Sequence, residues 1–232
     1  MKLPEGFIDA NTLKSKRRLI ASISGPQKTG KTNLALTAPA PIAFYDMDMG
    51  TEGVVEKFAA IKKVYRSQYD YRMLTAPDIA GIIVMWEKMK KDFIWGLESP
   101  DVATPIVDTG TEMWELLRMA RFGKLTQVKP FHYGPVNAEF RDLIRLAYAS
   151  SKDVIFTHKM KNEYIDDRRT GKIERAGFSD MGFLVQINIE TWYSEGEFGA
   201  TIVDCRQNMD VAGMELTGEM CDWEFIKGLV FG

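Results

Sequence analysis

The sequence predicts an α/β fold: a mainly parallel sheet flanked by helices on both faces, with antiparallel strands at its C-terminal end. Three observations carry this. Short apolar runs alternate with helix-length stretches through the first two thirds of the 232 residues, the pattern of parallel strands joined by crossover helices. A glycine-rich octapeptide at residues 25–32 sits where the first such run meets the next helical stretch. In the last third, residues 184–193 and 200–206 alternate as antiparallel strands do.

Each element has a local reason. Residues 18–24 form a β-type run, and a helical stretch at 32–37 stops before Pro39 and Pro41. Residues 42–45 are a second buried-strand candidate, ending in Asp46-Met47-Asp48. From Pro77 to about Leu97, Ile79, Ile82, Trp86, Met89 and Phe93 recur at steps of 3, 4, 3 and 4, one face of a helix with proline in its first turn. Residues 105–108 read as a strand in which proline is tolerated because it comes first. A helix at 113–120 follows, and Val136, Phe140, Leu143 and Ala147 line another. Residues 154–157 give the next strand, and Trp223-Glu224-Phe225-Ile226 a last short helix packed on the sheet. Without internal repeats or low-complexity segments, the chain reads as one domain at 18–232 behind an N-terminal extension at 1–17.

Composition narrows the classes. At 45% hydrophobic and 27% charged residues the chain matches a soluble globular protein. Thirty Lys and Arg against 32 Asp and Glu, a net charge of −2, exclude a globally basic nucleic-acid binder but not a local basic groove. Cys205 and Cys221 cannot make a disulfide framework, and no Cys/His group has zinc-ligand spacing. The longest apolar runs fall well short of the roughly 20 residues a bilayer requires. Lys14, Lys16, Arg17 and Arg18 before Leu19-Ile20-Ala21 mimic a signal peptide, but Ser22, Ser24 and Gly25-Pro26 interrupt the apolar part. The expectation is a soluble protein of the reducing cytoplasm, without a membrane partner.

Gly25, Pro26, Gln27, Lys28, Thr29, Gly30, Lys31 and Thr32 match G-x-x-x-x-G-K-T in full, with Asn33 next. Glycines let the backbone curl so that successive N–H groups meet phosphate oxygens, and the helix beginning near Lys31 adds its positive end. Lys31 reaches the β- and γ-phosphates of a nucleotide, and the Thr32 hydroxyl ligates Mg²⁺. Such a loop needs an acidic partner for the ion, and Asp108, ending an apolar strand, is the natural one. The alternative for Asp108 is a cap or turn before Thr109-Gly110-Thr111.

With these residues the chain resembles the RecA-like P-loop ATPase cores. It looks most like short phage-encoded nucleotide-binding proteins of the AAA/RecA-like type, some of which act as recombinases or single-strand annealing proteins. The resemblance implies ATP and Mg²⁺ as ligands and a cytoplasmic setting, that of a bacterial host for a phage protein. It places a catalytic carboxylate at Asp48, where the family usually has Glu, with Asp46 on the same strand face as the other possibility. It matches Asp108 to the Walker-B acid and His158 to a γ-phosphate sensor ending a strand. It sets Arg206 as a single basic finger offered to ATP on a neighbouring subunit, since Asp204 stands where a second basic residue is common.

The same resemblance implies single-stranded DNA binding by two loops, at about 122–135 and 159–181. The first carries Lys124, Lys129, Phe131, His132 and Tyr133; the second carries Lys159, Lys161, Arg168, Arg169, Lys172 and Arg175 against Glu163, Asp166, Asp167 and Glu174. These cations suit phosphates, while Tyr164 or Phe178 suits stacking on a base. Ahead of the core, Phe7-Ile8-Asp9-Ala10 contains F-x-x-A, the hook by which some RecA relatives dock onto the next protomer, so a homo-oligomer with ATP near the subunit interface is expected. The leading expectation is an ATP-hydrolysing protein of DNA recombination, repair or replication. A non-hydrolysing ATP-dependent adaptor and a small-molecule or nucleotide kinase are the alternatives. No aromatic that would stack on the nucleotide base is evident.

Overall fold

Strand β1 (Ile20–Ser24) runs through the middle of the molecule, and short parallel strands build outward from it on both sides. The structure is a computed structural model, and it describes residues 4–13, 16–70, 72, 78–123, 128–166 and 168–232. After β1 come α1 (Lys31–Leu36), β2 (Ile42–Asp46), α2 (Val55–Ala59), β3 (Val64–Gln68) and α3 (Ile79–Glu98). Then follow β4 (Thr104–Asp108), α4 (Gly110–Phe122), α5 (Tyr133–Ala149) and β5 (Val154–Thr157). The last part has β6 (Met160–Ile165), β7 (Arg168–Arg175), α6 (Met181–Leu184), β8 (Ile187–Ser194), β9 (Glu197–Cys205), β10 (Glu215–Thr217) and α7 (Trp223–Phe231).

Among the described residues the main sheet has eight strands in the order β10-β9-β8-β1-β5-β4-β2-β3. From β8 across to β3 every neighbouring pair is parallel, whereas β9 and β10 add on antiparallel. The fold is thus α/β, with the antiparallel C-terminal strands the alternation predicts. Period-2 alternation splits the core into two layers. Ile20, Tyr45, Val107 and Phe156 face α3, α4 and α5, meeting Trp86, Phe93, Leu117 and Phe140. Ile23, Phe44, Ile106, Ile155 and Ile189 face the other way, onto Leu34 of α1 and Trp223, Ile226 and Val230 of α7. Fully burying each large apolar side chain contributes roughly 1.5–3 kcal/mol, so both layers stabilise the sheet between them.

Most expected elements form within a few residues. Pro105 pairs with Ala43 on the β2 side, while pairing with β5 starts only at Ile106, so its missing N–H costs no ladder bond there. In α3 the stripe Ile82, Trp86, Met89 and Phe93 is buried but Ile79, in the opening turn, is largely exposed; Asp78 caps this helix by accepting from Gly81 N at 2.9 Å, and Pro77 lies outside the described residues. Residues 160–175, read from the sequence as loop, form the separate β6–β7 hairpin. Among the described residues no helix is long and apolar enough to cross a membrane.

Candidate functional site

The glycine-rich turn follows directly from β1. Gly25 has φ +153°, and a Cβ there would lie 2.4 Å from Thr191 Oγ1 and 2.5 Å from the Thr191 carbonyl oxygen, so no other residue fits. Thr29 ties the turn to β8, its hydroxyl 2.7 Å from Thr191 Oγ1 and donating to Pro26 O at 2.9 Å. Lys28 (φ 62°) and Gly30 (φ 90°) supply the left-handed conformations that curl the backbone. Pro26, Gln27, Lys28 and Asn33 remain exposed on its rim. Lys31 folds back over the turn, its Nζ donating to Gly25 O at 2.8 Å and Pro26 O at 2.5 Å. Burial lowers the Lys31 pKa; Asp108 and Asp48 counter that, and the nearby Lys159 charge adds to it.

Beneath the turn stands Asp108, buried at the end of β4. Thr32 Oγ1 donates to Asp108 Oδ2 at 2.8 Å, and the Thr157 hydroxyl donates to Oδ1. Burial pushes the Asp108 carboxyl up, against the lowering effect of the bonds from Thr157 and Thr32. Asp46 pairs in register with Asp108 across β2–β4 but is committed elsewhere. Its buried carboxylate accepts from Arg66 Nη2 (2.6 Å) and Nε (3.1 Å), Thr51 Oγ1 (2.8 Å) and Met49 N (2.8 Å). Asp48, two residues on, is half-exposed and accepts from Arg72 Nη1 at 3.0 Å and Lys159 Nζ at 3.1 Å. Glu112, in the first turn of α4, joins the same cluster with Oε1 2.5 Å from Lys159 Nζ. Sequence reasoning missed Glu112 and Thr157. Thr157 was findable, because in a strand it shares a face with Ile155 and therefore with the glycine-rich turn.

The other expected site residues scatter. His158 follows Thr157 and so points to the opposite face, fully buried against Gly110, with neither ring nitrogen hydrogen-bonded. Burial, reinforced by the Arg175 charge, lowers its pKa to about 3. Arg206 lies at the far end of β9, where its N bonds Gln186 O and its guanidinium donates to Phe183 O. Of the six cations expected at 159–175, two turn inward. Lys159 joins the carboxylate cluster, and Arg175 is half-buried, donating to Asn188 Oδ1 at 3.1 Å and Ser22 Oγ at 3.3 Å. Lys161 pairs with Glu174 across the hairpin at 3.2 Å, and Arg168, Arg169 and Lys172 are exposed along β7. Tyr164 is exposed beside them, whereas Phe178 is core, 5.0 Å from the Trp114 ring and 5.2 Å from that of Phe140. Lys124 and Asp167 lie outside the described residues; Phe131 and His132 are exposed.

A cavity of about 650 Å³ opens against the turn, lined by Lys28–Leu34 together with Val54, Phe58, Thr191, Phe198 and Cys221. Phe58 and Phe198 are aromatics that sequence reading did not connect with the turn. They come from α2 and β9, and only the fold brings them together.

The family model described as "AAA domain" (AAA_24) matches residues 17–188, which span the turn, Asp48, Asp108, Glu112 and Lys159. The chain belongs to this AAA domain family. Two solved structures are similar over most of both chains. One is the RadB recombinase, at 14% identity over 86% of this chain and 86% of that one, with TM-score 0.48. The other is a KaiC-like protein from Pyrococcus horikoshii OT3, at 12% identity over 87% and 86%, with TM-score 0.48. No curated protein matches the chain. The core is that of an AAA domain, with a complete G-x-x-x-x-G-K-T turn between β1 and α1. Its residues fit a nucleotide with Mg²⁺: a glycine-bearing phosphate turn packed so closely on β8 that a Cβ at Gly25 would strike Thr191, a hydroxyl and a carboxylate oxygen 2.8 Å apart, and a part-aromatic cavity next to the turn.

Proposed function

We propose that the protein binds and hydrolyses ATP and couples this to binding single-stranded DNA, in recombination, repair or replication. The observation that carries the reading is the Thr32–Asp108 pair beneath a complete phosphate-binding turn. The turn receives the phosphates, with Lys31 swinging from the carbonyls of Gly25 and Pro26 onto them. Thr32 and Asp108 would hold Mg²⁺, which neutralises phosphate charge when bound. The base would enter the cavity that Phe58 and Phe198 help to line. Asp48 is favoured over Asp46 for orienting the attacking water, because its carboxylate is partly exposed whereas that of Asp46 is fully buried against Arg66, Thr51 and Met49 N.

The finer points follow the resemblance to RecA-like proteins. The exposed β7 cations with Tyr164 form the DNA contact, Arg206 serves a neighbouring copy, and Phe7 with Ala10, both exposed, hook one copy to the next. A phage-encoded recombination or strand-annealing role belongs to this reading as well. One observation favours a slow or non-hydrolysing variant of it: Asp48 is held by both Arg72 and Lys159.

The test is calorimetric titration of the full chain with ATP and Mg²⁺. Wild type binds and Lys31→Ala, folded by circular dichroism, loses at least about tenfold in affinity, the scale of one charge-assisted contact. Equal binding by both, or none by wild type, would refute the reading.

A further inference from the structure

We infer that Lys159 is the residue by which this chain distinguishes a nucleoside triphosphate from a diphosphate: Asp48 and Glu112 hold its ammonium beside the phosphate turn, and the γ-phosphoryl group takes it from them. This rests on the nucleotide reading above and adds a residue and a specificity to it.

Position comes first. Lys159 follows β5 by two residues, and the last residue of that strand, Thr157, bonds Asp108. Its ammonium therefore stands where the ends of β2, β4 and β5 converge, with Asp48 two residues past β2 and Glu112 four residues past Asp108. The root of the side chain is fixed. Lys159 N donates to Thr111 Oγ1 at 3.1 Å, Thr111 Oγ1 donates to Ala176 O at 3.1 Å, and Ala176 N donates to Lys159 O at 2.8 Å. Only the four-carbon stem has to swing, which costs little for lysine.

Charge supports the exchange. Lys159 touches Asp48 at 3.1 Å and Glu112 at 2.5 Å, both carboxylates rather than fixed dipoles, and a terminal phosphoryl group presents more negative charge than either. Asp48 keeps Arg72 at 3.0 Å when Lys159 leaves. The Lys159 charge also lowers the Lys31 pKa, in keeping with an ammonium near the turn. A diphosphate leaves the ammonium with its carboxylates. A role in gripping DNA fits less well, since the side chain turns toward the largely buried Glu112 and away from the exposed face of the hairpin.

Calorimetric titration of the full chain with ADP and with the non-hydrolysable triphosphate AMP-PNP, each with Mg²⁺, tests this. Wild type is expected to prefer AMP-PNP. Lys159→Gln should lose at least about tenfold in AMP-PNP affinity with ADP binding changed less than about twofold, and Lys159→Arg should keep most of the preference. If Lys159→Gln fails to fold, the double variant Lys159→Met with Glu112→Gln removes the cation without stranding a buried carboxylate, and the same loss is expected. Equal weakening toward both nucleotides, or an unchanged ratio, would overturn the assignment while leaving nucleotide binding intact. Wild type that binds neither nucleotide would instead overturn the reading on which it rests.

Discussion

Neighbouring side chains at the strand ends do opposite work because a strand turns successive residues to opposite faces. Thr157 meets Asp108, and His158, one residue later, is buried on the far side without a hydrogen bond. That burial has a consequence for pH. The unfolded chain takes up a proton at histidine near pH 6.5, whereas folded His158 stays neutral down to about 3. The folded state therefore binds fewer protons across this window, and stability is lost as pH falls through it, by up to about 1.4 kcal/mol per pH unit. Urea melts of wild type and His158→Leu between pH 6.5 and 5, above most carboxylate titration, should show a shallower decline in the variant. Parallel declines would contradict it. The glycine-rich turn was legible in the sequence because each of its residue types has a chemical duty at a fixed spacing, and Asp108 because it ends an apolar strand. Glu112 was not, since nothing in the sequence brings it to Lys159; only the meeting of α4 with the end of β5 does.

Among the elements, those with one buried face were readable and those without were not. The α5 residues Val136, Phe140, Leu143 and Ala147 are all buried, as their spacing requires. Strand β3 lies at the sheet edge and is only partly buried along its length, so it leaves little periodic signal. The β6–β7 hairpin has no buried residue among those described, and its Lys, Arg and Glu residues look like a solvated loop until cross-strand pairs such as Lys161–Glu174 are seen. The hairpin is rooted at Thr111, and Gly177 is required at its foot: φ is +99° and a Cβ would sit 3.1 Å from Thr111 Cα. Arg168→Glu, Arg169→Glu and Lys172→Glu together should weaken binding to a fluorescent single-stranded oligonucleotide. The slope of log affinity against log salt should flatten by about 2, as three lost phosphate contacts on a single strand require. Anisotropy titrations at several salt concentrations read both, and unchanged affinity would remove the hairpin from the DNA contact.

At the scale of the whole molecule, the parallel strands bring the phosphate turn and the ends of β2, β4 and β5 to the same edge of the sheet. The antiparallel β9 carries Arg206 to the opposite edge, bonded beside the start of β8. Within one chain Arg206 therefore stands away from the turn, and a role at the phosphates requires a second copy. Phe7 and Ala10 are the segment proposed for that contact: light scattering with ATP and oligonucleotide should show assembly in wild type and none in Phe7→Glu/Ala10→Glu, and assembly surviving that change would end the idea. The central claim, an ATP-hydrolysing P-loop core responsive to single-stranded DNA, is tested most directly by phosphate release from ATP with and without single-stranded DNA, with Lys31→Ala as the blank. Turnover should be present in wild type, rise with single strands and be absent from a folded Lys31→Ala. Equal phosphate release by both proteins, or wild type that releases none under either condition, would contradict it.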